Sequence, residues 1–195
     1  MQRVALTGGI ATGKSYVRAS FEALGTPTLD SDGLVHELLG GDPAVISAVR
    51  LRFGEAVLDR AGAVDRAALG RVVFADRAAR ADLERLIHPI VYRRIGDWFT
   101  RLAAGGTTWA LADVPLLYET GHAADFDRVI VAACAPSVQL ARLRSRGLAE
   151  AEARARIASQ WPTGEKERLA DDIVWTDGTF ADTDRQVRAI VEGLR

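Results

Sequence analysis

The chain has 195 residues, 48% of them hydrophobic and 26% charged, with a formal net charge of −1. This composition excludes a disordered or collagen-like chain, and the charge favours neither a nucleic-acid nor a membrane partner. A single cysteine, Cys134, excludes an internal disulfide framework. No uncharged stretch is long enough to cross a bilayer, and we see no secretion signal. We therefore expect a cytoplasmic protein that acts on small molecules, and composition indicates nothing about protein partners.

Predicted strands and helices alternate along the chain. In the first half we predict strands at residues 4–7 and 26–29 and helices at 13–24 and 34–39, the second ended by Gly40 and Gly41. Helical segments follow from Pro43 to Leu102, with Pro89 starting or kinking a helix. In the second half we predict strands at 107–114, 129–133 and 172–175, a helix opened by Pro136, and helices at 149–160 and 183–194. This alternation predicts an α/β fold with a mainly parallel sheet.

Two helical stretches interrupt the alternation, at about residues 41–103 and 139–166. Because no linker or repeat separates them from the rest, we predict one domain over residues 1–195. Each stretch is a candidate cap over a central site.

A glycine-rich segment follows the first predicted strand and opens the first helix. Gly8-Gly9-Ile10-Ala11-Thr12-Gly13-Lys14-Ser15 matches the phosphate-loop pattern G-x-x-x-x-G-K-[ST]. The loop amides and the helix N-terminus, including the Tyr16 amide, point at a polyphosphate, while Lys14 reaches its outer phosphates and Ser15 holds Mg²⁺. Only two of the 25 basic residues are lysines, Lys14 and Lys166, which suggests that each is needed as a lysine. The segment therefore predicts a nucleotide site.

The loop alone leaves the class of nucleotide-binding protein open. A GTPase switch would use Asp-x-x-Gly, which residues 30–33 and 59–62 both match loosely, but neither lysine fits a guanine-binding Asn-Lys-x-Asp motif. A small-molecule kinase needs a base for the acceptor hydroxyl and cations on the transferred phosphate. Asp32, just past the second strand, is a candidate base or Mg²⁺ ligand, and equally a helix N-cap, while Asp30 is the poorer candidate because it could simply cap the turn.

Further charged residues fit a kinase without deciding its substrate. Asp113 ends a predicted strand at the edge where the phosphate loop lies, so it is either an acid beside the phosphates or a plain loop carboxylate. Four arginines of the second helical stretch could clamp phosphate oxygens or could be solvated surface; they are Arg142, Arg146, Arg154 and Arg156.

Ordered motifs over about residues 4–178 carry a family resemblance. They are Leu6-Thr7-Gly8-Gly9-Ile10 before Gly13-Lys14-Ser15, Leu29-Asp30-Ser31-Asp32, Asp65-Arg66 with Leu69 and Val73-Phe74, Leu83-Glu84 with His88-Pro89, Val114-Pro115-Leu116-Leu117-Tyr118-Glu119, Arg142, Arg146, Arg156-Ile157 and Gln160, and Glu165-Lys166 with Ala170-Asp171. The set resembles the dephospho-coenzyme A kinase family.

The resemblance implies a fold and a reaction. The fold is a P-loop kinase-like three-layer sandwich with a five-stranded parallel sheet, a helical CoA-binding insertion and a lid. The reaction transfers the γ-phosphate of ATP, with Mg²⁺, to the ribose 3′-hydroxyl of dephospho-CoA. Asp32 falls on the family's catalytic base.

The resemblance also implies site residues, beside the phosphate-loop residues Gly8 to Tyr16 that bind ATP. Lys14, Arg142 and Arg146 would act in catalysis with Asp32. Substrate contacts would come from Asp32, His88, Pro115, Leu116, Leu117, Tyr118 and Glu119. His88 is equally a packing residue, the two leucines could be wall and packing, and Glu119 could anchor its own loop.

Three positions depart from the family pattern, and two alternative functions remain open. Ala11 replaces a glycine and requires negative φ or strain, Tyr16 replaces a threonine, and Thr176 stands where the family usually has asparagine near the adenine. The alternatives are another small-molecule kinase, such as a nucleoside monophosphate kinase, and a nucleotide-regulated binding module. The four tryptophans and Cys134 are predicted to be packing residues.

Overall fold

The structure is a computed structural model, and it describes residues 1–194. The strands are β1 (Gln2–Gly8), β2 (Thr28–Asp30), β3 (Trp109–Asp113), β4 (Arg128–Ala133) and β5 (Asp172–Trp175). The helices are α1 (Lys14–Ala23), α2 (Ser31–Gly41), α3 (Pro43–Phe53), α4 (Arg66–Ala75), α5 (Arg77–Ala104), α6 (Pro136–Ser145), α7 (Glu150–Ala158), α8 (Thr163–Leu169) and α9 (Phe180–Leu194). Short 3₁₀ turns lie at Glu55–Val57 and Ala123–Asp125.

The five strands form one sheet in the order β2-β3-β1-β4-β5. β1 pairs in parallel with β3 and β4, and β4 pairs in parallel with β5. The strand order reverses at β1, so the crevice beyond its carboxyl end is where an open α/β sheet binds its ligand. The predicted α/β fold with a five-stranded parallel sheet is confirmed.

An apolar cluster packs the sheet against α1 and α9. It includes Val4 and Leu6 of β1, Val17 and Phe21 of α1 and Val187 of α9, all fully buried. The apolar residues of α9 recur at helical spacing and form one buried stripe, as expected for a helix that covers a sheet. Each large side chain buried in this way contributes about 1.5–3 kcal/mol, which anchors the strand and the helix that flank the phosphate loop.

The chain divides into two compact units. One unit contains Met1–Leu29 together with the chain from Phe99 onward and holds most of the sheet; we call it the sheet unit. The other, Asp30–Trp98, contains α2, α3, α4 and most of α5; we call it the helical unit. Every helix within residues 1–194 is too short or too polar to span a bilayer.

One local prediction in the helical unit was wrong, and so was one of the two alternatives for Pro89, the start of a helix. α2 continues through Gly41 and does not break at Gly40. Pro89 lies inside α5 and starts no helix. Ile87, Val91 and Ile95 are buried on both sides of the proline, so tertiary packing holds the helix together although Pro89 lacks an amide donor.

Candidate active site

The phosphate loop joins the end of β1 to the start of α1. Gly13 precedes α1 with a φ of 86° and no side chain caps the helix. The Lys14 and Ser15 amides at the start of α1 can therefore bind an anion, whereas the Tyr16 amide donates to the Gly13 carbonyl at 2.9 Å. Ser15 lies in this first turn with an exposed side chain.

Ala11 adopts the left-handed conformation that its glycine counterpart would adopt freely. Its φ is 60°, and among residues 1–194 it is the non-glycine residue with positive φ. For an alanine this conformation costs about 1–2 kcal/mol. Its side chain packs with Leu143 and Ala153 in a small buried cluster, which offsets part of that strain.

Lys14 meets a carboxylate from the neighbouring strand. Its Nζ forms an ion pair with Oδ1 of Asp113, the last residue of β3, whose side chain is 3% exposed. The Arg18 Nε lies 3.7 Å from the second carboxylate oxygen, Oδ2. The sequence placed Asp113 at this edge of the sheet, and the structure brings it into direct contact with the phosphate-loop lysine.

The segment Pro115–Glu119 follows β3 and is held by a buried ion pair. Lys166 of α8 is fully buried, and its Nζ lies 2.7 Å from Oε1 of Glu119 and 3.3 Å from the Pro115 carbonyl oxygen. The Thr7 hydroxyl donates to the same carbonyl at 3.0 Å, and the Trp161 amide donates to Glu119 Oε1 at 3.0 Å. Lys166 therefore fixes this segment against α8.

Two polar atoms of this segment are buried and have no hydrogen-bond partner within residues 1–194: the Tyr118 hydroxyl and Glu119 Oε2. The Tyr118 ring stacks on Trp161, with centroids 6.1 Å apart and planes at 8°. Burial raises the pKa of Tyr118, and the Asp171 carboxylate raises it further, so the hydroxyl stays protonated. Leu117 is fully buried, whereas Pro115 and Leu116 are half-buried.

Arg142 and Arg146 occupy different environments at the end of α6. The Arg142 guanidinium donates to the Ala11 carbonyl at 3.1 Å and to the Thr176 hydroxyl at 3.0 Å. Arg146 is exposed. Arg154 and Arg156 form exposed i,i+4 pairs with Glu150 and Glu152, in agreement with a solvated helix face.

Asp30, Asp32 and His88 lie in the helical unit. Asp30 is the N-cap of α2 and accepts from the Asp32 amide at 3.0 Å. Asp32 is therefore not the cap, and that alternative was wrong; its side chain is exposed in the first turn. His88 is half-buried on α5.

Sequence reasoning missed the hydrogen bonds that hold the backbone of the phosphate loop from outside it. Thr176 is buried and donates to the Thr12 carbonyl at 2.7 Å. Gln139 Nε2 donates to the Ile10 carbonyl, and the Ile10 amide donates to Gln160 Oε1, both at 2.7 Å. The sequence analysis named Gln160 in the family pattern and Thr176 as a departure from that pattern, whereas the signal for Gln139 was its position in the second helical stretch.

Comparison with known proteins decides the family. The sequence model of the dephospho-CoA kinase family matches residues 2–182. The chain belongs to this family. A dephospho-CoA kinase of Geobacillus kaustophilus is 37% identical over 190 residues, covering 97% of this chain and 94% of the relative. The dephospho-CoA kinase of Anaeromyxobacter dehalogenans is 44% identical over 179 residues, covering 91% and 85%.

A solved structure agrees with the family assignment. The dephospho-CoA kinase from Campylobacter jejuni superimposes with a TM-score of 0.76 at 25% identity, covering 98% of this chain and 96% of that chain. The chain is therefore a kinase with a nucleotide-binding phosphate loop.

Proposed function

We propose that this member of the dephospho-CoA kinase family transfers the γ-phosphoryl group of ATP to the ribose 3′-hydroxyl of dephospho-CoA, giving CoA and ADP. The observation that carries the proposal is the phosphate loop, with uncapped α1 amides and Lys14 beside them, in a chain of this family. Transfer of a phosphoryl group needs positioning and charge stabilisation more than covalent chemistry, and such a loop supplies both.

ATP is proposed to bind through Gly8, Gly9, Ile10, Ala11, Thr12, Gly13, Lys14, Ser15 and the Tyr16 amide. Lys14 leaves its ion pair with Asp113 and contacts the outer phosphates of ATP, where it neutralises their negative charge. Within residues 1–194 no cluster of three or more His, Cys, Asp or Glu side chains could hold a metal ion by itself. The exposed Ser15 hydroxyl fits a Mg²⁺ ion that takes its other oxygens from phosphates and water. When bound, the ion would supply positive charge to the phosphates.

Asp32 is proposed as the general base. Its side chain is exposed in the first turn of α2, where Asp30 and not Asp32 accepts the capping hydrogen bond. Arg142 and Arg146 are proposed to add positive charge from the lid side, at residues 139–166. Arg142 would do so while it holds the Ala11 carbonyl.

The acceptor is proposed to contact His88 and the segment Pro115, Leu116, Leu117, Tyr118 and Glu119, with residues 41–103 as the CoA-binding insertion. Leu117 supports this segment from the core. Lys166 contacts both Glu119 and the Pro115 carbonyl and so supports the shape of this segment.

The test measures ADP release from ATP and Mg²⁺ with and without dephospho-CoA, followed by mass spectrometry of the product. We expect dephospho-CoA-dependent release and the gain of one phosphate on the 3′-hydroxyl. In Lys14→Ala, turnover should fall by about 10²–10³, since a charge at the transferring group is removed. Thermal unfolding of the variant controls for folding.

Other outcomes separate the alternatives. Turnover on nucleoside monophosphates but not on dephospho-CoA would indicate a nucleoside monophosphate kinase. ATP binding with no turnover on any acceptor of a nucleotide and small-alcohol panel would indicate a nucleotide-regulated binding module.

A further inference from the structure

The backbone carbonyls of the phosphate loop are satisfied by side chains from outside the loop. When loop amides converge on an anion, the carbonyls between them turn outward, and each needs a donor where the protein shields it from water. Three successive carbonyls receive one from distant parts of the chain. The Ile10 carbonyl accepts from the Gln139 side chain at 2.7 Å, the Ala11 carbonyl from Arg142 at 3.1 Å and the Thr12 carbonyl from the Thr176 hydroxyl at 2.7 Å.

Ile10 is the residue held on both of its flanking peptide planes. Its amide donates to Oε1 of Gln160, and its carbonyl accepts from Nε2 of Gln139. A backbone amide can only donate and a backbone carbonyl can only accept, so the orientation of each glutamine amide is settled by its partner. The two hydrogen bonds together fix the rotation of both peptide planes.

Gln139 can approach the loop backbone this closely because Gly9 lacks a side chain. A Cβ at Gly9 would lie 2.8 Å from Gln139 Nε2 and 2.8 Å from the Thr163 hydroxyl. Gln139 itself is 3% exposed, so its amide is buried against the loop. Gln139 is thus in direct packing contact with the phosphate loop.

The loop also needs external support, because its conformation is strained. Ala11 follows Ile10 with a φ of 60°, which an alanine adopts only at a cost. Hydrogen bonds to Ile10 and Thr12, the residues on either side of Ala11, hold that conformation. Removing the Gln139 hydrogen bond would let the Ile10–Ala11 peptide rotate, and removing the Gln160 hydrogen bond would let the Gly9–Ile10 peptide rotate, so either change would move the loop amides.

We propose that Gln139 and Gln160 are positioning residues that set the geometry of the phosphate loop for ATP. Gln139 lies in α6 and Gln160 follows α7, so both belong to the segment proposed as the lid. Any movement of that segment is transmitted to the loop through Ile10. The inference rests on the proposed function only in taking ATP as the ligand, whatever the acceptor is.

Two variants with the same chemical change separate this role from a structural one. Gln160→Glu keeps an acceptor facing the Ile10 amide, whereas Gln139→Glu replaces a donor by an acceptor facing the Ile10 carbonyl. Both add one negative charge on the outer side of the loop. We expect Gln139→Glu to weaken ATP binding about tenfold or more relative to Gln160→Glu, because only Gln139→Glu leaves the partly buried Ile10 carbonyl without its donor.

The experiment is isothermal titration of the full chain with ATP, ADP and adenosine in the presence of Mg²⁺, at pH 8 to keep the carboxylates ionised. The loss should appear with ATP and ADP and be absent with adenosine, which has no phosphate. Gln139→Met and Gln160→Met, which delete the hydrogen bonds without adding charge, should both weaken ATP binding. In steady-state kinetics, these two methionine variants should have a raised KM for ATP and an unchanged KM for dephospho-CoA.

Equal ATP affinities for Gln139→Glu and Gln160→Glu would overturn the inference, as would methionine variants that bind ATP as the wild type does. If Gln139→Glu does not fold, by its thermal transition, the methionine pair decides. Wild-type protein that binds ATP no more tightly than adenosine would overturn the inference together with the phosphate-loop assignment. ATP binding without transfer to dephospho-CoA would contradict the proposed function alone.

Discussion

Helices begin in different ways in the two units of the molecule. In the helical unit, α2, α3 and α4 each follow an aspartate whose side chain accepts an amide of the first turn; these are Asp30, Asp42 and Asp65. In the sheet unit, four of the five helices that begin there follow residues that provide no side-chain cap; these helices are α1, α6, α7 and α8. The exception is α9, where the Thr179 hydroxyl accepts from the Asp182 amide at 3.2 Å. The difference is largest at α1, whose first turn carries the phosphate loop.

The two units are therefore stabilised by different kinds of contact, local in one and long-range in the other. An aspartate cap acts over two or three residues, so the helical unit is organised locally. The loop before α1 is held by Gln139, Arg142, Gln160 and Thr176, all more than 100 residues away in sequence. A site without its own cap can offer its amides to a ligand, but it then depends on tertiary contacts for its shape.

The largest expected effect separates two neighbouring aspartates. In Asp32→Asn we expect kcat to fall by about 10²–10⁴, since an amide cannot act as the base. Asp30→Asn keeps a good N-cap and should leave kcat within a few-fold of wild type. Steady-state kinetics on both variants tests this, and near-normal turnover in Asp32→Asn would remove the base role.

The next prediction compares the loss of unfolding free energy on breaking a buried ion pair of the sheet unit with the loss on breaking an exposed pair of the helical unit. Lys166→Met leaves the Glu119 carboxylate buried without its cation and should cost about 3–5 kcal/mol of unfolding free energy. Arg80→Met, which removes an exposed partner of Glu84, should cost less than about 1 kcal/mol.

Urea unfolding of both variants measures the difference between these pairs. The double variant Lys166→Met with Glu119→Gln should recover part of the loss, because no unpaired charge remains. Equal losses for Lys166→Met and Arg80→Met would show that the buried pair is not a structural anchor.

A smaller effect tests the local order of the helical unit. Asp65 accepts from the Ala67 and Ala68 amides at 2.9 and 3.0 Å. Asp65→Ala should reduce the unfolding free energy by about 1 kcal/mol, and Asp65→Asn by only part of that. Thermal unfolding measures both, and an unchanged midpoint in Asp65→Ala would show that α4 is held by packing alone.

The smallest effect concerns the strained residue of the phosphate loop. Ala11→Gly removes about 1–2 kcal/mol of strain, but glycine costs about 0.5–1 kcal/mol in chain entropy and the buried methyl contributes about 0.8 kcal/mol. These terms nearly cancel, so we expect a shift of the unfolding midpoint of less than about 4 °C, with ATP affinity retained. Ala11→Val should instead destabilise, because a branched residue tolerates positive φ poorly.

Much of the architecture was predictable because it depends on local patterns. The last strand was predicted at residues 172–175, where β5 lies, and the phosphate loop was recognised from its glycines and Lys14. The choice between Asp30 and Asp32 as cap was not predictable, because both sit within two residues of the helix start. The sequence left open whether Pro89 starts or kinks a helix, and the structure excludes a start because the buried face of α5 outweighs the missing amide donor.

The sheet, the phosphate loop and the family could be predicted from local patterns, since short-range spacing of apolar residues, glycines and a lysine carries that information. The side chains that hold the loop and the segment Pro115–Glu119 became apparent in the folded chain. Gln139 and Gln160 reach Ile10, and Lys166 reaches Glu119, across long stretches of chain. These contacts form because buried backbone and carboxylate groups must find partners, and the fold brings the available partners within reach.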